Sequence, residues 1–248
     1  LEISKSVHKS GALLYCDGAN FNAIVGKVKP ADLGIDIMHL NLHKTFSTPH
    51  GGGGPGAGPV GMTESLAPFA PLPWIKKMDS QFTLTEHVNH NSEHSFGRMR
   101  AWHGQMGMFV RALTYLMSHG GDGLRQVAED AVLNANYIRV GLQNHYSMPY
   151  PGICMHEVLC DDQMLKQAGI QTLDIAKSLI DEGFHPMTIY FPLIASGAML
   201  IEPTETEPKE SLDQFLKAMV KIAETASEKN TEVFQKAPVH APRRRLDE

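Results

Sequence analysis

The sequence predicts an α/β fold, because short strand-like segments alternate with longer helix-like segments along the chain. The strand-like segments are brief apolar runs of the kind that form buried parallel strands. The helix-like segments have apolar residues spaced three or four positions apart. The chain has 248 residues, 42% of them hydrophobic, which is enough to bury the core of one or two domains.

The first part of the chain alternates in this way and then becomes rich in glycine and proline. Residues 1–11 are typical of the end of a helix, with Gly11 as its C-terminal stop. Short apolar runs over 12–16 and 35–40 predict two strands. The glycine and proline content of 48–73 predicts loop and turn.

Helices are predicted for the middle of the chain. Apolar residues recur at helical spacing between positions 95 and 119. Gly120 and Gly121 supply a stop before a second helix over 124–142. We therefore expect a domain boundary near residue 120.

The last part of the chain again alternates between strands and helices. β-Branched, aromatic and apolar runs predict its strands, and amphipathic spacing predicts its helices. Either Thr172 or Asp174 is expected near the cap of the first helix in this part. The predicted strands cover 151–159, 188–191 and 198–201, and the predicted helices cover 172–182 and 211–226.

Charge, cysteine spacing and hydropathy limit the partners and the compartment. The net charge of −5 and the pI near 6.2 argue against nucleic acid as the main partner. Cys16, Cys154 and Cys160 lack CxxC spacing, which argues against a disulfide framework or a zinc knuckle and favours a reducing compartment. No apolar run is long enough to span a bilayer, and no signal-peptide pattern opens the chain. We expect a soluble intracellular protein without a membrane partner.

Two charged side chains follow the first two predicted strands. Asp17 ends the first apolar run, and Lys44, preceded by His43, follows the second. Many pyridoxal-phosphate enzymes hold their cofactor with such a pair: the lysine forms the Schiff base and the aspartate keeps the pyridine nitrogen protonated. Partial burial at the strand end is expected to favour the neutral amine of Lys44. A lone lysine here is usually a surface residue, but the combination favours a cofactor site.

The two residues that follow the Asp17-Gly18 pair are further candidates. Asp17 alone would more often be a turn residue, because Asp-Gly favours turns. Ala19 is small enough to lie against a cofactor ring. Asn20 could reach the ring hydroxyl or a nearby substrate group.

A glycine-rich segment over 51–59 matches several nucleotide- and esterase-like patterns by letters. Prolines interrupt its dinucleotide-like spacing, and no helix pattern follows. It lacks the Lys-Ser/Thr ending of a phosphate-binding loop, and the chain has no Gly-x-Ser-x-Gly elbow to accompany an esterase oxyanion loop. Two interpretations stay open: a flexible backbone that approaches a cofactor or partner closely, and a plain surface loop.

A group of histidines is the most metal-like pattern in the chain. His87, His90 and His94 lie close to Glu86 and Glu93, and helical spacing could bring two or three of them to one face. The asparagines and the serine between them are more typical of a loop, and no ligand geometry follows. No metal site is therefore predicted.

Taken together, the motifs resemble those of glycine decarboxylase, the pyridoxal-phosphate P-protein of the glycine cleavage system. The resemblance extends over nearly all 248 residues. The amino-acid sequence of segment 46–50 is similar to that in the second subunit of the split, two-subunit bacterial enzymes. The matching motifs lie at 17–20, 39–50, 133–137, 172–177, 183–186 and 201–205.

The resemblance implies a pyridoxal-phosphate fold-type-I architecture like that of aspartate aminotransferase. Residues 1–120 would form the C-terminal part of the large cofactor domain, and residues 121–248 the small C-terminal α/β domain. The resemblance also implies that Lys44 is the Schiff-base lysine, that Asp17 partners the pyridine nitrogen and that His43 borders the cofactor.

The activity implied by the resemblance is that of a glycine dehydrogenase (aminomethyl-transferring). Glycine would lose carbon dioxide, and the aminomethyl group would pass to the lipoyl arm of the H-protein. A tight pocket could exclude larger amino acids by size alone. The implied partners are a homologous first subunit and the H-protein, in a heterotetramer. The implied compartment is the bacterial cytoplasm, or the mitochondrial matrix if the source is eukaryotic.

Family members have the ring-stacking residue and much of the phosphate-binding loop in a segment ahead of the position of Leu1. The chain is therefore expected to be incomplete, with the lysine and the pyridine anchor but not a whole site. Two alternatives stay open: another fold-type-I enzyme, desulfurase- or decarboxylase-like, and a truncated assembly module that binds no cofactor. A desulfurase would need a mobile nucleophilic cysteine, and Cys154 and Cys160 lack an obvious loop motif for it.

Overall fold

The computed structural model contains two compact units, Leu1–Arg125 and Gln126–Glu248. Whether these units correspond to the predicted domains stays a prediction. The residues that the structure describes are 1–52, 56–86, 94–99, 103–228 and 231–246. No helix within these ranges is long and apolar enough to cross a membrane.

The first unit contains a three-stranded sheet in which β1 and β2 are parallel and β3 is antiparallel to β2. The predicted N-terminal helix and the first two predicted strands are confirmed. Both strands begin two or three residues late, because the backbone N–H of Leu14 donates to the Asp36 carboxylate (2.7 Å) instead of entering a ladder. The elements are α1 Glu2–Lys9, β1 Tyr15–Gly18, β2 Ile37–Leu40, α2 Leu42–Thr45 and β3 Val60–Met62.

The expectation that 48–73 is only loop and turn is wrong. The segment contains β3 and a 3-10 helix over Glu64–Phe69. A Cβ atom on Gly58 would lie 2.4 Å from the backbone oxygen of Leu40, so glycine is what allows this segment to approach β2. The glycines therefore let a third strand join the sheet.

A two-stranded antiparallel hairpin follows, with β4 over Trp74–Met78 and β5 over Gln81–Thr85. Its two-residue turn begins with Asp79, which has a positive φ of 52°. Aspartate tolerates this left-handed conformation better than most residues. The hairpin is absent from the sequence prediction.

A long helical element, α3, covers Met106–Leu142 and is interrupted at Gly120, where φ is 62° and ψ is −175°. The predicted stop at Gly120 and the helix after it are therefore confirmed. The predicted helix start near residue 95 is wrong. Gly97 and Gly104 have positive φ values of 91° and 104°, so the backbone turns twice before the helix begins.

The second unit packs helices against a three-stranded antiparallel sheet of order β6-β8-β7. Its elements are β6 Val158–Asp161, α4 Thr172–Asp181, β7 Thr188–Ile189, β8 Ala198–Ile201, α5 Lys209–Ser227 and α6 Thr231–Lys236. The core is formed by buried side chains from the second part of α3, from the sheet and from the helices. These include Ile138, Leu142, Val158, Cys160, Ile175, Leu179, Met199, Met219 and Phe234.

The predictions for α4, β8 and α5 are confirmed, and β7 is shorter than predicted. The strand predicted over 151–159 is mostly wrong, because only its last two residues lie in β6. Asn136 explains the difference: its side chain accepts from the backbone N–H of Cys154 (3.1 Å) and donates to the Cys154 carbonyl (2.8 Å). A side chain thus satisfies the backbone groups that a neighbouring strand would otherwise bond.

Helix α4 begins with a capping box. Gln171 is the cap residue, and its backbone N–H donates to the carboxylate of Asp174 (2.9 Å). Asp174 therefore lies near the cap, as predicted. Thr172 is instead fully buried, and its hydroxyl donates to the carbonyl of Gly197 (2.7 Å).

Candidate active site

The parallel pairing of β1 and β2 brings the predicted cofactor residues to one edge of the sheet. Asp17 lies opposite His39 in the strand register. Asn20 follows β1, and Lys44 lies in α2, which follows β2. The carboxyl ends of parallel strands meet at one edge, and ligands of α/β proteins bind there.

Lys44 reaches across to the end of the neighbouring strand. Its Nζ donates to Oδ1 of Asn20 at 3.3 Å. The side chain of Lys44 is exposed, so the partial burial expected for this lysine is not provided by the residues that the structure describes. The amine is held in place but open to a ligand.

Asp17 is fixed through one of its two carboxylate oxygens. Oδ1 accepts from the backbone N–H of Ala19 (2.9 Å) and lies 3.2 Å from Nε2 of His39. Ala19 therefore contacts Asp17 through its backbone. The side chain of Asp17 is 69% exposed, which leaves it accessible to a ligand.

His43 lies beside Lys44 in a partly buried position. Its ring meets the ring of His50 edge-on, with 4.6 Å between centroids. Burial, His50 and Lys44 together lower the pKa of His43 below the ordinary histidine value, in that order of importance. The neutral imidazole is therefore the favoured form at neutral pH.

Three buried polar atoms near Lys44 have no hydrogen-bond partner among the described residues. They are Nδ1 of His43, Oγ1 of Thr45 and Oγ1 of Thr48. A buried polar group without a partner costs about 1–3 kcal/mol. Such atoms are suited to meet a polar ligand or another segment of protein.

The Lys44 segment is anchored to α3. The ring of Phe46 lies 6.4 Å from that of Phe21 and 6.4 Å from that of Tyr115. The guanidinium of Arg111 donates to the carbonyl of Ser47 (3.4 Å), a residue with a positive φ of 55°. These supports were missed from the sequence, because α3 lies far from Lys44 along the chain.

Most of the predicted metal-like histidine cluster lies outside the described residues. Of its members, Glu86 pairs with Arg98, and His94 stacks on Phe69 with 5.5 Å between ring centroids. Within the described part of the chain, no group of three histidine, cysteine, aspartate or glutamate residues could hold a metal ion. The glycine run lies only partly within the described residues, and both interpretations of it stay predictions.

Comparison with known proteins identifies relatives over the whole chain. A family model described as "Glycine dehydrogenase, C-terminal domain" matches residues 127–242. The "Probable glycine dehydrogenase (decarboxylating) subunit 2" of Caulobacter vibrioides is 62% identical over 100% of this chain and 48% of its own length. The protein of the same name from Chlorobaculum tepidum is 51% identical over 100% of this chain and 51% of its own length. Over its whole length, the chain is similar to part of these two glycine dehydrogenase (decarboxylating) subunit 2 proteins.

The chain thus spans about half the length of the curated relatives that it matches. Solved structures share its fold. A crystal structure of glycine decarboxylase (P-protein) in inhibitor-bound form matches with a TM-score of 0.68 and 19% identity, over 88% of this chain and 50% of that one. The apo cysteine desulfurase from Thermococcus onnurineus matches with a TM-score of 0.63 and 16% identity, over 90% and 55%. The predicted fold-type-I architecture is confirmed.

Proposed function

We propose that this chain forms part of a pyridoxal-phosphate-dependent glycine dehydrogenase (decarboxylating). The observation that supports this most directly is the contact between Lys44 and Asn20 at the strand edge where Asp17 also lies. The names of the curated relatives supply the reaction class, the decarboxylation of glycine.

The residues at this edge have the chemistry that the cofactor requires. An amine is available at Lys44 to hold the aldehyde, and a carboxylate is available at Asp17 to keep a proton at the pyridine nitrogen. Nδ1 of His43 and the hydroxyls of Thr45 and Thr48, which have no hydrogen-bond partner among the residues that the structure describes, can meet further polar groups of a ligand. The residues present therefore fit pyridoxal phosphate.

When bound, pyridoxal phosphate supplies a ring that accepts the electron pair left behind as carbon dioxide departs. In the proposed site, Asn20 would hold the Lys44 amine at the strand edge, where the aldehyde of the cofactor would be bound. Ala19 orients the Asp17 carboxylate through its backbone N–H, and its small side chain leaves room for the ring. His43 would border the cofactor as a neutral imidazole, so it would contact the cofactor without adding a positive charge to the site.

The partners proposed for the whole enzyme follow from the same curated relatives. A homologous first subunit is expected, because the relatives are named as second subunits. We further propose that the lipoyl H-protein accepts the aminomethyl group, that the enzyme is a heterotetramer and that it acts in the cytoplasm. Residues 1–120 would then belong to the large cofactor domain and residues 121–248 to the small domain.

The desulfurase alternative is weakened by the cysteines. Burial raises the pKa of Cys154, and it raises the pKa of Cys160 to about 12. The catalytic cysteine of a desulfurase attacks the sulfur of its substrate as a thiolate, so it needs access and a lowered pKa. Neither Cys154 nor Cys160 has a lowered pKa, and Cys160 is also buried.

The proposal predicts that Lys44→Ala abolishes cofactor attachment. In the complex with the homologous first subunit, the unchanged chain should show the visible absorption band that pyridoxal phosphate acquires on condensing with a lysine. Lys44→Ala should lack this band and should not be trapped covalently by borohydride. Lys9→Ala is the matched control, since Lys9 is an exposed lysine at the end of α1.

A band that persists in Lys44→Ala would contradict the proposal, and so would the absence of a band in the unchanged complex. Exchange of labelled bicarbonate into glycine, measured with added H-protein, then tests the reaction itself. Exchange that requires both Lys44 and H-protein supports glycine decarboxylation. A bound cofactor without exchange would favour another fold-type-I activity, and a folded complex without cofactor would favour the assembly-module alternative.

A further inference from the structure

Three polar side chains lie together on one face of the β1–β2 pair. Side chains alternate between the two faces of a strand, so Tyr15 and Asp17 share a face and Cys16 lies on the other. The register pairs Tyr15 with Ile37 and Asp17 with His39. The side chain of His39 is therefore next to both Tyr15 and Asp17.

Two contacts link the three side chains into one hydrogen-bonded row. The Tyr15 hydroxyl lies 2.5 Å from Nδ1 of His39, and the two rings stack with 5.9 Å between centroids. On the other side of the ring, Nε2 of His39 lies 3.2 Å from Oδ1 of Asp17. Both ring nitrogens of His39 thus have a partner.

The chemistry of the partners defines which group donates and which accepts in each of these hydrogen bonds. A carboxylate can only accept, so the contact with Asp17 is favourable when Nε2 of His39 carries the proton. In the neutral imidazole, Nδ1 is then an acceptor, and the hydroxyl of Tyr15 donates to it. The order of donation runs from Tyr15 through His39 to Asp17.

Stability alone does not account for this arrangement. His39 is 26% exposed and Asp17 is 69% exposed, and ion pairs in such positions contribute little to the folded state. Both recorded contacts of the Asp17 carboxylate, across the part of the chain that the structure describes, use Oδ1. Oδ2 is therefore the oxygen open to a ligand.

We infer that His39, held by Tyr15, is a positioning residue that aims Asp17 at the ring nitrogen of the cofactor. The inference rests on the proposed function and adds to it two residues that do not touch the cofactor. With Oδ1 held by His39 and by the backbone of Ala19, the carboxylate has one orientation, in which Oδ2 faces the ligand. The contact with the ring nitrogen is then made without first ordering a free side chain.

The first test needs no cofactor. In the chain labelled with ¹⁵N-histidine, the ring nitrogen shifts of His39 should show the proton on Nε2 and an accepting Nδ1. Tyr15→Phe keeps the stacked ring but removes the donor, so the Nδ1 shift should move toward that of a nitrogen without a donor. A proton on Nδ1 in the unchanged chain would overturn the inference, whatever the fate of the proposed function.

The second test isolates the ring nitrogen. Affinities of the complex are compared for pyridoxal phosphate and for its 1-deaza analogue, which has a carbon in place of that nitrogen. Because hydrogen bonds to charged groups are worth about 1.5–3 kcal/mol, His39→Phe should reduce the preference for pyridoxal phosphate about tenfold. Tyr15→Phe, which removes one exposed hydroxyl group, should reduce it about threefold.

His8→Phe is the matched control. His8 contacts the Asp36 carboxylate at 2.8 Å in the same unit, at the other end of β2 from Lys44. This variant loses an equivalent histidine–aspartate contact and should leave the preference unchanged. Equal weakening of both ligands by His39→Phe would indicate a packing role and overturn the inference.

The two proposals fail in different ways. A visible band that survives in Lys44→Ala contradicts the proposed function but leaves the protonation of His39 to be judged by its nitrogen shifts. A band that requires Lys44, together with a preference for pyridoxal phosphate over the deaza analogue that His39→Phe leaves unchanged, overturns the inference alone.

Discussion

His43 is subject to three influences that each disfavour a positive charge on its ring. Burial removes water from the imidazole, the ring of His50 lies 4.6 Å away, and the ammonium of Lys44 is on the next residue. The lowered pKa of His43 means that the unfolded chain binds a proton at this residue more readily than the folded chain. The free energy of unfolding therefore falls as the pH drops through the ordinary histidine value, and this loss ends below the folded pKa.

His50→Phe tests this account at a single residue. The variant keeps an aromatic ring against His43 but removes a group that repels the proton, so the pKa of His43 should rise part of the way toward its ordinary value. Burial is the largest cause and is retained, so the pKa should not rise fully. NMR titration of the His43 ring measures the change. An unchanged titration would show that His50 has no electrostatic effect on His43.

Strand β1 approaches β2 closely at Gly18. A Cβ atom at this position would lie 2.1 Å from the backbone oxygen of His39 and 2.6 Å from the end of the Met38 side chain. A methionine side chain can move, but the backbone oxygen belongs to the sheet. Glycine at this position therefore permits the register that brings Asp17 beside His39.

Gly18→Ala should destabilise the chain by about 1–3 kcal/mol, because the added methyl group forces the two strands apart. Gly61→Ala is the control in the same sheet. A Cβ on Gly61 would meet nothing within 4 Å, and the change should stay within about 0.5 kcal/mol. Urea unfolding measures the free energy of unfolding of both variants from their midpoints, with the same dependence of free energy on urea concentration. Equal midpoints for the two variants would contradict this prediction, because they would show that the methyl group added at position 18 costs no stability.

The strands also explain how much of the site could be predicted. Lys44 and Asp17 could be predicted as neighbours, because each follows a short apolar run and parallel strands place their ends at one edge. His39 could not be assigned its role, because its place beside Asp17 depends on the strand register, which the sequence does not reveal. The same limit applies to β3, a segment rich in turn-forming residues that becomes a strand only by pairing with β2.

Across the entire chain, each compact unit has interior contacts of its own. The reactivity of the Cys160 thiol shows whether the second unit is closed. This residue is fully buried in the second unit, and burial raises its pKa to about 12. Cys16 lies in the first unit and is partly exposed. A thiol reagent at neutral pH should therefore modify Cys16 in the folded chain, and Cys160 only when the second unit opens.

Leu179→Ala should greatly accelerate the labelling of Cys160. Leu179 is fully buried in the same core, and its truncation should cost about 2–5 kcal/mol. When opening is a rapid equilibrium, 2 kcal/mol corresponds to labelling about 30-fold faster. Mass spectrometry locates the label, with Leu133→Ala as a control because Leu133 is 65% exposed on α3. The labelling of Cys16 should change far less. Rapid labelling of Cys160 in the unchanged chain would contradict its burial, and equal acceleration at both cysteines would mean that the two units unfold together.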